Sequence, residues 1–116
     1  MSDDFRRAKR KQAAERIPVT DTMTETVIGT IGNVSETGAM LLTSSPMMDD
    51  ALYQLSFSIT DAKNQPRTVT IGMQQLWSEP TNAPGHFWVG YRFIDIAAVD
   101  LNALRAWIEL PDSQYV

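Results

Sequence analysis

Cysteine is absent from all 116 residues, which removes disulfides, thiolate metal sites and cysteine nucleophiles together. Histidine occurs once, as His86 in the turn-like "NAPGHFW", too little for a histidine-based hydrolase or a histidine metal cluster. No apolar run approaches the ~18 residues that a helix needs to span a bilayer. The N-terminal "MSDDFRRAKRKQAAER" has positive charges without the apolar core and cleavage pattern of a secretory signal. A cytoplasmic address is therefore expected. Nor is there a P-loop or a paired catalytic constellation. The scattered carboxylates Glu36, Asp49, Asp50 and Asp95 read as solvated surface or turn groups, so no enzyme is expected.

What is present is a charge asymmetry. Residues 1–16 carry Arg6, Arg7, Lys9, Arg10, Lys11 and Arg16 against Asp3, Asp4 and Glu15, six bases to three acids and a net of +3. The remaining hundred residues hold four bases and eleven acids, a net of −7. A cationic arm thus precedes an acidic body. Such an arm can be solvated, can touch nucleic acid or can fold over a small anion. The acidic body repels a long polyanion, so a compact anionic ligand that meets only the arm is the easier partner, and no nucleic acid polymer is expected.

After Pro18 the chain becomes β-rich. "TETVIGTIGNV" and "GAMLLTS" read as an antiparallel pair. In "YQLSFSIT", Tyr53, Leu55, Phe57 and Ile59 alternate with Gln54, Ser56, Ser58 and Thr60, the signature of a strand with one dry face. "DAKNQP" supplies turn residues before "RTVTIGMQQLW", where Val69, Ile71 and Met73 share a face. "SEPTNAPGH" is a loop, and "FWVGYRFIDI" is the last strand. The period then changes. Leu101, Leu104 and Ile108 lie on one side of a helix, with Trp107 adjoining, Asp100 available to cap its start and Pro111 to stop it. Strands followed by one amphipathic helix predict a mainly β fold, an antiparallel barrel with a helix packed on it. The boundaries expected are a basic arm over 1–17, the barrel over 18–110 with its helix at about 99–110, and a tail over 111–116.

The turn in "TIGNVSETGAML" holds Asn33, Ser35 and Gly38 at fixed offsets. Asn and Gly tolerate the unusual backbone angles of a tight turn, and Ser35 and Thr37 can bond the local backbone. The same residues can also hold something. An Asn amide offers donors and an acceptor to the edge of a polar heterocycle, while Gly permits close backbone approach. The arm bears on that choice. "RRAKR" contains R-x-x-x-R at Arg6 and Arg10, with Arg7 beside them, and Asn33 follows Arg10 by 23 residues. An arginine fork suits a phosphate or the O6/N7 edge of guanine.

In order and spacing, "RRAKR" followed by "NVSETG" resembles the PilZ domain, a receptor for the bacterial second messenger cyclic di-GMP. Members carry R-x-x-x-R near the start of the domain and then (D/N)-x-S-x-x-G. A further mark, G-x-x-F in the final strand, is matched by Gly90 and Phe93 in "GYRFIDI". The resemblance spans nearly the whole chain and implies a six-stranded antiparallel barrel with a C-terminal helix. It also implies that Arg6 and Arg10 clamp phosphates and guanine faces with Arg7 as neighbour, that Asn33 and Ser35 meet a guanine edge, that Gly38 shapes the turn, and that Trp77 lies beside the ligand. Two departures stand out. Asn33 occupies a position where aspartate is commoner. In a second register Arg16, before "IPV", is the second arginine, which leaves Gln12 as its partner.

The function implied is a binding module without catalysis or cofactor. The basic arm closes over cyclic di-GMP at the turn, and the change of shape is read by an unidentified downstream protein in motility, pili, biofilm or virulence. The alternative is a PilZ-like adaptor that does not bind the dinucleotide and works through protein contacts. A third reading, an RNA- or DNA-binding barrel, is distinguished by its salt dependence.

Overall fold

The alternation of "YQLSFSIT" is realised as an extended strand in the computed structural model, which describes residues 8–44, 49–61 and 63–116. Among the described residues there are seven strands and one helix. They are β1 (Lys11–Gln12), β2 (Pro18–Asp21), β3 (Thr26–Val34), β4 (Gly38–Thr43), β5 (Leu52–Thr60), β6 (Pro66–Pro80), β7 (Phe87–Ile96) and α1 (Ala98–Ile108). All pairings are antiparallel, in the order β1-β3-β2-β5-β6-β7-β4, and β4 returns to pair with β3. That last pairing closes β2 to β7 into a six-stranded barrel, the fold class expected.

The period-2 pattern fills the barrel. Leu55, Phe57 and Ile59 of β5 and Val69, Ile71 and Met73 of β6 are buried, joined by Val19, Leu41 and Val89 from the other strands. From α1 come Leu104, Trp107 and Ile108, which pack this face against the core. One expectation about the helix is corrected. It starts at Ala98 after Ala97, which makes no side-chain cap, and Asp100 sits inside the first turn. There its carboxylate pairs with the Arg67 guanidinium at 3.1 Å and accepts the Thr70 N–H at 3.3 Å. An acid in the first turn still faces the positive end of the helix dipole. Here it also ties α1 to β6.

Ahead of the barrel, part of the arm joins the sheet. Lys11 and Gln12 pair with Val34 and Asn33 on the edge of β3 that also takes β2, because β4 occupies the other edge. Ala13 N donates to Gly32 O and Ile31 N to Ile17 O, so the chain follows β3 from residue 11 to residue 21. The second half of the expected arm is therefore an added piece of sheet. Backbone pairing is indifferent to the charge of the side chains, which is why composition alone marked the segment as separate.

Inside the barrel Tyr91 is only 2% exposed, edge-on to Tyr53 with ring centroids 6.1 Å apart, and its hydroxyl has no hydrogen-bond partner among the described residues. Burial first, then the Tyr53 phenol and the Asp21 carboxylate, hold its pKa above the ordinary phenol value of 10.0. The unfolded chain therefore loses this proton at a lower pH than the folded one. The stability linked to it is full below pH 10.0 and is lost as pH climbs beyond that value. Replacing Tyr91 by Phe removes a buried polar group that no described residue satisfies. Urea unfolding should show Tyr91→Phe more stable by about 1 kcal/mol at neutral pH, with a shallower decline above pH 10. A clear destabilisation would mean that the hydroxyl has a function in the core.

Candidate functional site

Strand alternation sorts the basic residues of the arm. Lys11 turns inward: it is 7% exposed, its Nζ donates to the Trp107 carbonyl at 2.8 Å, and it lies 4.2 Å from the centre of the Trp107 ring. Desolvation lowers its pKa from 10.5, with Asp112 acting in the opposite sense. The carbonyl and the ring face together offset part of the cost of burying this ammonium. Lys11 thereby pins β1 to α1. Its neighbour Arg10 takes the opposite side, and Arg10 Nη1 donates to Asn33 Oδ1 at 3.0 Å.

Asn33 is 7% exposed and sits at a shift in the β3–β4 register between Ile31 and Asn33. With its oxygen engaged by Arg10, its NH2 group is the part left to address a ligand. Trp77 reaches the same place from β6. The β6–β7 register shifts between Gln75 and Trp77, and Trp77 then stands opposite Gly90. A Cβ on Gly90 would lie 2.3 Å from indole Cε2 and Nε1, so the ring rests directly on bare backbone. Arg10, Asn33, Met40, Leu76, Trp77 and Gly90 thus line one hollow of about 240 Å³. It has a cation and an amide at one end and an indole, 39% exposed, as a wall.

Of the other hollows among the described residues, one of about 440 Å³ contains Arg67, but Asp100 holds that guanidinium. A wider groove of about 660 Å³ lies along Leu42, Pro80, His86 and Trp88 and has no Lys or Arg in its lining. Among the described residues, no three of His, Asp and Glu gather as metal ligands.

Ser35 and Gly38 are near the hollow in sequence but do not line it. Ser35 is 1% exposed, and its hydroxyl accepts N–H bonds from Thr37 at 3.1 Å and Gly38 at 3.2 Å. Its one proton has Thr37 Oγ1 at 3.1 Å and Gly38 O at 3.4 Å within reach. Neither Asn33 nor Gly38 has a positive φ, so the angular reason for their presence in the turn does not apply. Gly38 is required by proximity instead: a Cβ there would lie 2.5 Å from the Tyr91 carbonyl oxygen of β7. Glu36, expected to be solvated, lies at the turn tip and pairs with Arg105 of α1 at 3.4 Å. Replacing Ser35 by Ala leaves two turn N–H groups short of an acceptor. We expect a loss of about 1 to 2 kcal/mol in thermal or urea unfolding; an unchanged midpoint would show that the turn does not depend on this hydroxyl.

Arg6 and Arg7, the other arginines of the motif, lie outside the described residues. Arg16 and Gln12, the pair of the second register, are exposed. Gln12 stands opposite Asn33 in the β1–β3 ladder, but the guanidinium that contacts the Asn33 amide is that of Arg10. Met40, Leu76 and the Lys11 anchor were not foreseen. Only the apolar alternation of β4 hinted at Met40. Nothing in a run of five closely spaced bases distinguishes the one that is buried.

The model of the PilZ domain family matches residues 4–110. Among solved structures, the chain is similar to the Bacillus subtilis inhibitor of motility (MotI/DgrA), with a TM-score of 0.69 and 15% identity over 85% of the chain. It spans 47% of the length of that protein, about half, and the likeness is one of fold. No curated protein matches it closely enough to count as a relative.

Proposed function

Because the chain belongs to the PilZ domain family, we propose that it binds cyclic di-GMP at the hollow of Arg10, Asn33 and Trp77 and passes the signal to a partner protein. The observation that carries this reading is the Arg10–Asn33 hydrogen bond beside an indole wall. Arg10 supplies a planar cation suited to a phosphate or a guanine O6/N7 edge. Asn33 supplies N–H donors for a guanine edge, and Trp77 a face against which a base can lie. Arg6 and Arg7 complete the clamp, while Ser35 and Gly38 act at the turn from which β4 departs.

Fixing a residue costs roughly 1 to 2 kcal/mol of backbone entropy, and a charge-assisted bond contributes about 1.5 to 3 kcal/mol. With Lys11 and Gln12 paired to β3, the cost of placing Arg10 falls on folding and not on ligand capture. Engaging the ligand would change the surface that a partner reads. We place this receptor in the bacterial cytoplasm, acting without catalysis or cofactor in motility, pilus, biofilm or virulence control. No described helix is long and apolar enough to cross a membrane.

Calorimetric titration with cyclic di-GMP tests the reading: saturable heat is expected, and none at protein concentrations of tens of micromolar would overturn it. In that case the second reading stands, an adaptor that acts by protein contacts alone. It is favoured by one observation, that Gln12, not an arginine, stands opposite Asn33 in the β1–β3 ladder.

A further inference from the structure

Beyond Pro111 the chain turns back to the arm. Gln12 N donates to Gln114 O at 2.8 Å, Val116 N donates to Arg10 O at 3.0 Å, and Tyr115 forms an antiparallel bridge with Lys11. In an extended strand, residues 10 and 12 point their backbone groups to one edge and residues 11 and 13 to the other. Ala13 bonds Gly32 of β3, so residues 114–116 lie along the edge of β1 that β3 leaves open. This segment has its own anchors. The Tyr115 hydroxyl donates to the Ile108 carbonyl at 2.7 Å, and the Lys9 ammonium stands 5.6 Å from the Tyr115 ring centre while pairing with Glu109 at 3.1 Å.

We propose that residues 114–116 are a positioning strand for Arg10, which holds the backbone of β1 from its outer edge so that the guanidinium reaches Asn33. The β1–β3 ladder begins only at Lys11, one residue past Arg10. The Arg10 carbonyl takes its bond from Val116 instead. A chain of hydrogen bonds therefore runs from the end of α1, through the Tyr115 hydroxyl and the Val116 N–H, to the residue at the mouth of the hollow. Coupling of this kind is reciprocal: whatever engages the Arg10 side chain also steadies the 114–116 segment.

The inference rests on the reading that Arg10 meets the ligand, and its test separates the two. Val116→Pro deletes the N–H that Arg10 accepts, and Tyr115→Phe deletes the anchor to Ile108. Each is titrated with cyclic di-GMP, alone and combined with Arg10→Ala, and the Asn33 side-chain amide is followed by NMR in ligand-free protein. We expect Val116→Pro to weaken binding about tenfold and Tyr115→Phe in the same direction. Neither should weaken it further once Arg10 is Ala. Without ligand, the Asn33 amide signals in Val116→Pro should move toward their positions in Arg10→Ala, with the melting temperature nearly held. Wild-type Asn33 signals in both variants would overturn the proposal. So would an equal loss of affinity in the Arg10→Ala background, because the segment would then act elsewhere. If wild-type protein gives no heat with cyclic di-GMP, the receptor reading falls and the Asn33 amide alone decides whether the strand positions Arg10. If Val116→Pro does not fold, Tyr115→Phe decides on the same two readouts.

Discussion

Arg10→Ala is expected to lower the affinity for cyclic di-GMP at least tenfold. A charge-assisted bond between guanidinium and phosphate or guanine contributes about 1.5 to 3 kcal/mol, and each 1.4 kcal/mol is a factor of ten in Kd. The truncation also leaves Asn33 Oδ1 without the donor that meets it at 3.0 Å in a nearly buried position. That costs about 1 kcal/mol of stability, a melting shift of a few degrees. The signature is therefore a large loss of affinity with a small loss of stability. Arg10→Lys separates the two roles open to this side chain. A lysine can serve a phosphate as a point charge but cannot reproduce a two-pronged contact to O6 and N7. Recovery with Lys would assign Arg10 to a phosphate, and no recovery to the base edge. Calorimetry showing wild-type affinity for Arg10→Ala would remove Arg10 from the binding surface.

Gly38→Ala should cost about 2 to 3 kcal/mol of stability, more than Ser35→Ala or Arg10→Ala. The added Cβ would lie 2.5 Å from the Tyr91 carbonyl oxygen and 3.5 Å from the Arg92 Cα. Both are β7 backbone, which cannot swing aside as a flexible side chain can. Relief requires β4 and β7 to separate where Gly38 faces Arg92, at the start of the strand that carries Met40 into the hollow. A comparison is available at Gly85, where φ is +80° and an alanine Cβ would meet no atom within 4 Å. Alanine there incurs only a conformational penalty of roughly 1 to 2 kcal/mol. Urea unfolding of both variants should rank Gly38→Ala as the more damaging. The reverse order would mean that β4 does not approach β7 this closely.

The two variants also show which parts of the molecule could be read before its structure. Where one residue after another repeats a pattern, the physics is local: Leu55, Phe57 and Ile59 alternate because one face of β5 is dry, and β7 spans the run "FWVGYRFIDI". The pairing of "TETVIGTIGNV" with "GAMLLTS" was legible because a short connection leaves antiparallel neighbours little alternative. The spacing of Arg10 and Asn33 suggested a partnership, but not the two-residue strand that brings them together, which is too short to have a period. The role of Gly38 depends on an oxygen 53 positions away in sequence, and the place of Asp100 on an arginine in another element. Lys11 is the sharpest case. Its burial is decided by a carbonyl and a ring on α1, which no feature of "RRAKRKQ" announces.

The ring formed when β4 returns to β3 has a bearing on how copies of this chain behave in a crowded solution. An unpaired strand edge is a row of free amides and carbonyls onto which another chain can add. Among the described residues each of the six barrel strands pairs with a neighbour on both sides, and the outer edge of β1 is covered by residues 114–116. Protection against edge-to-edge association is thus built into the backbone connectivity more than into the side chains.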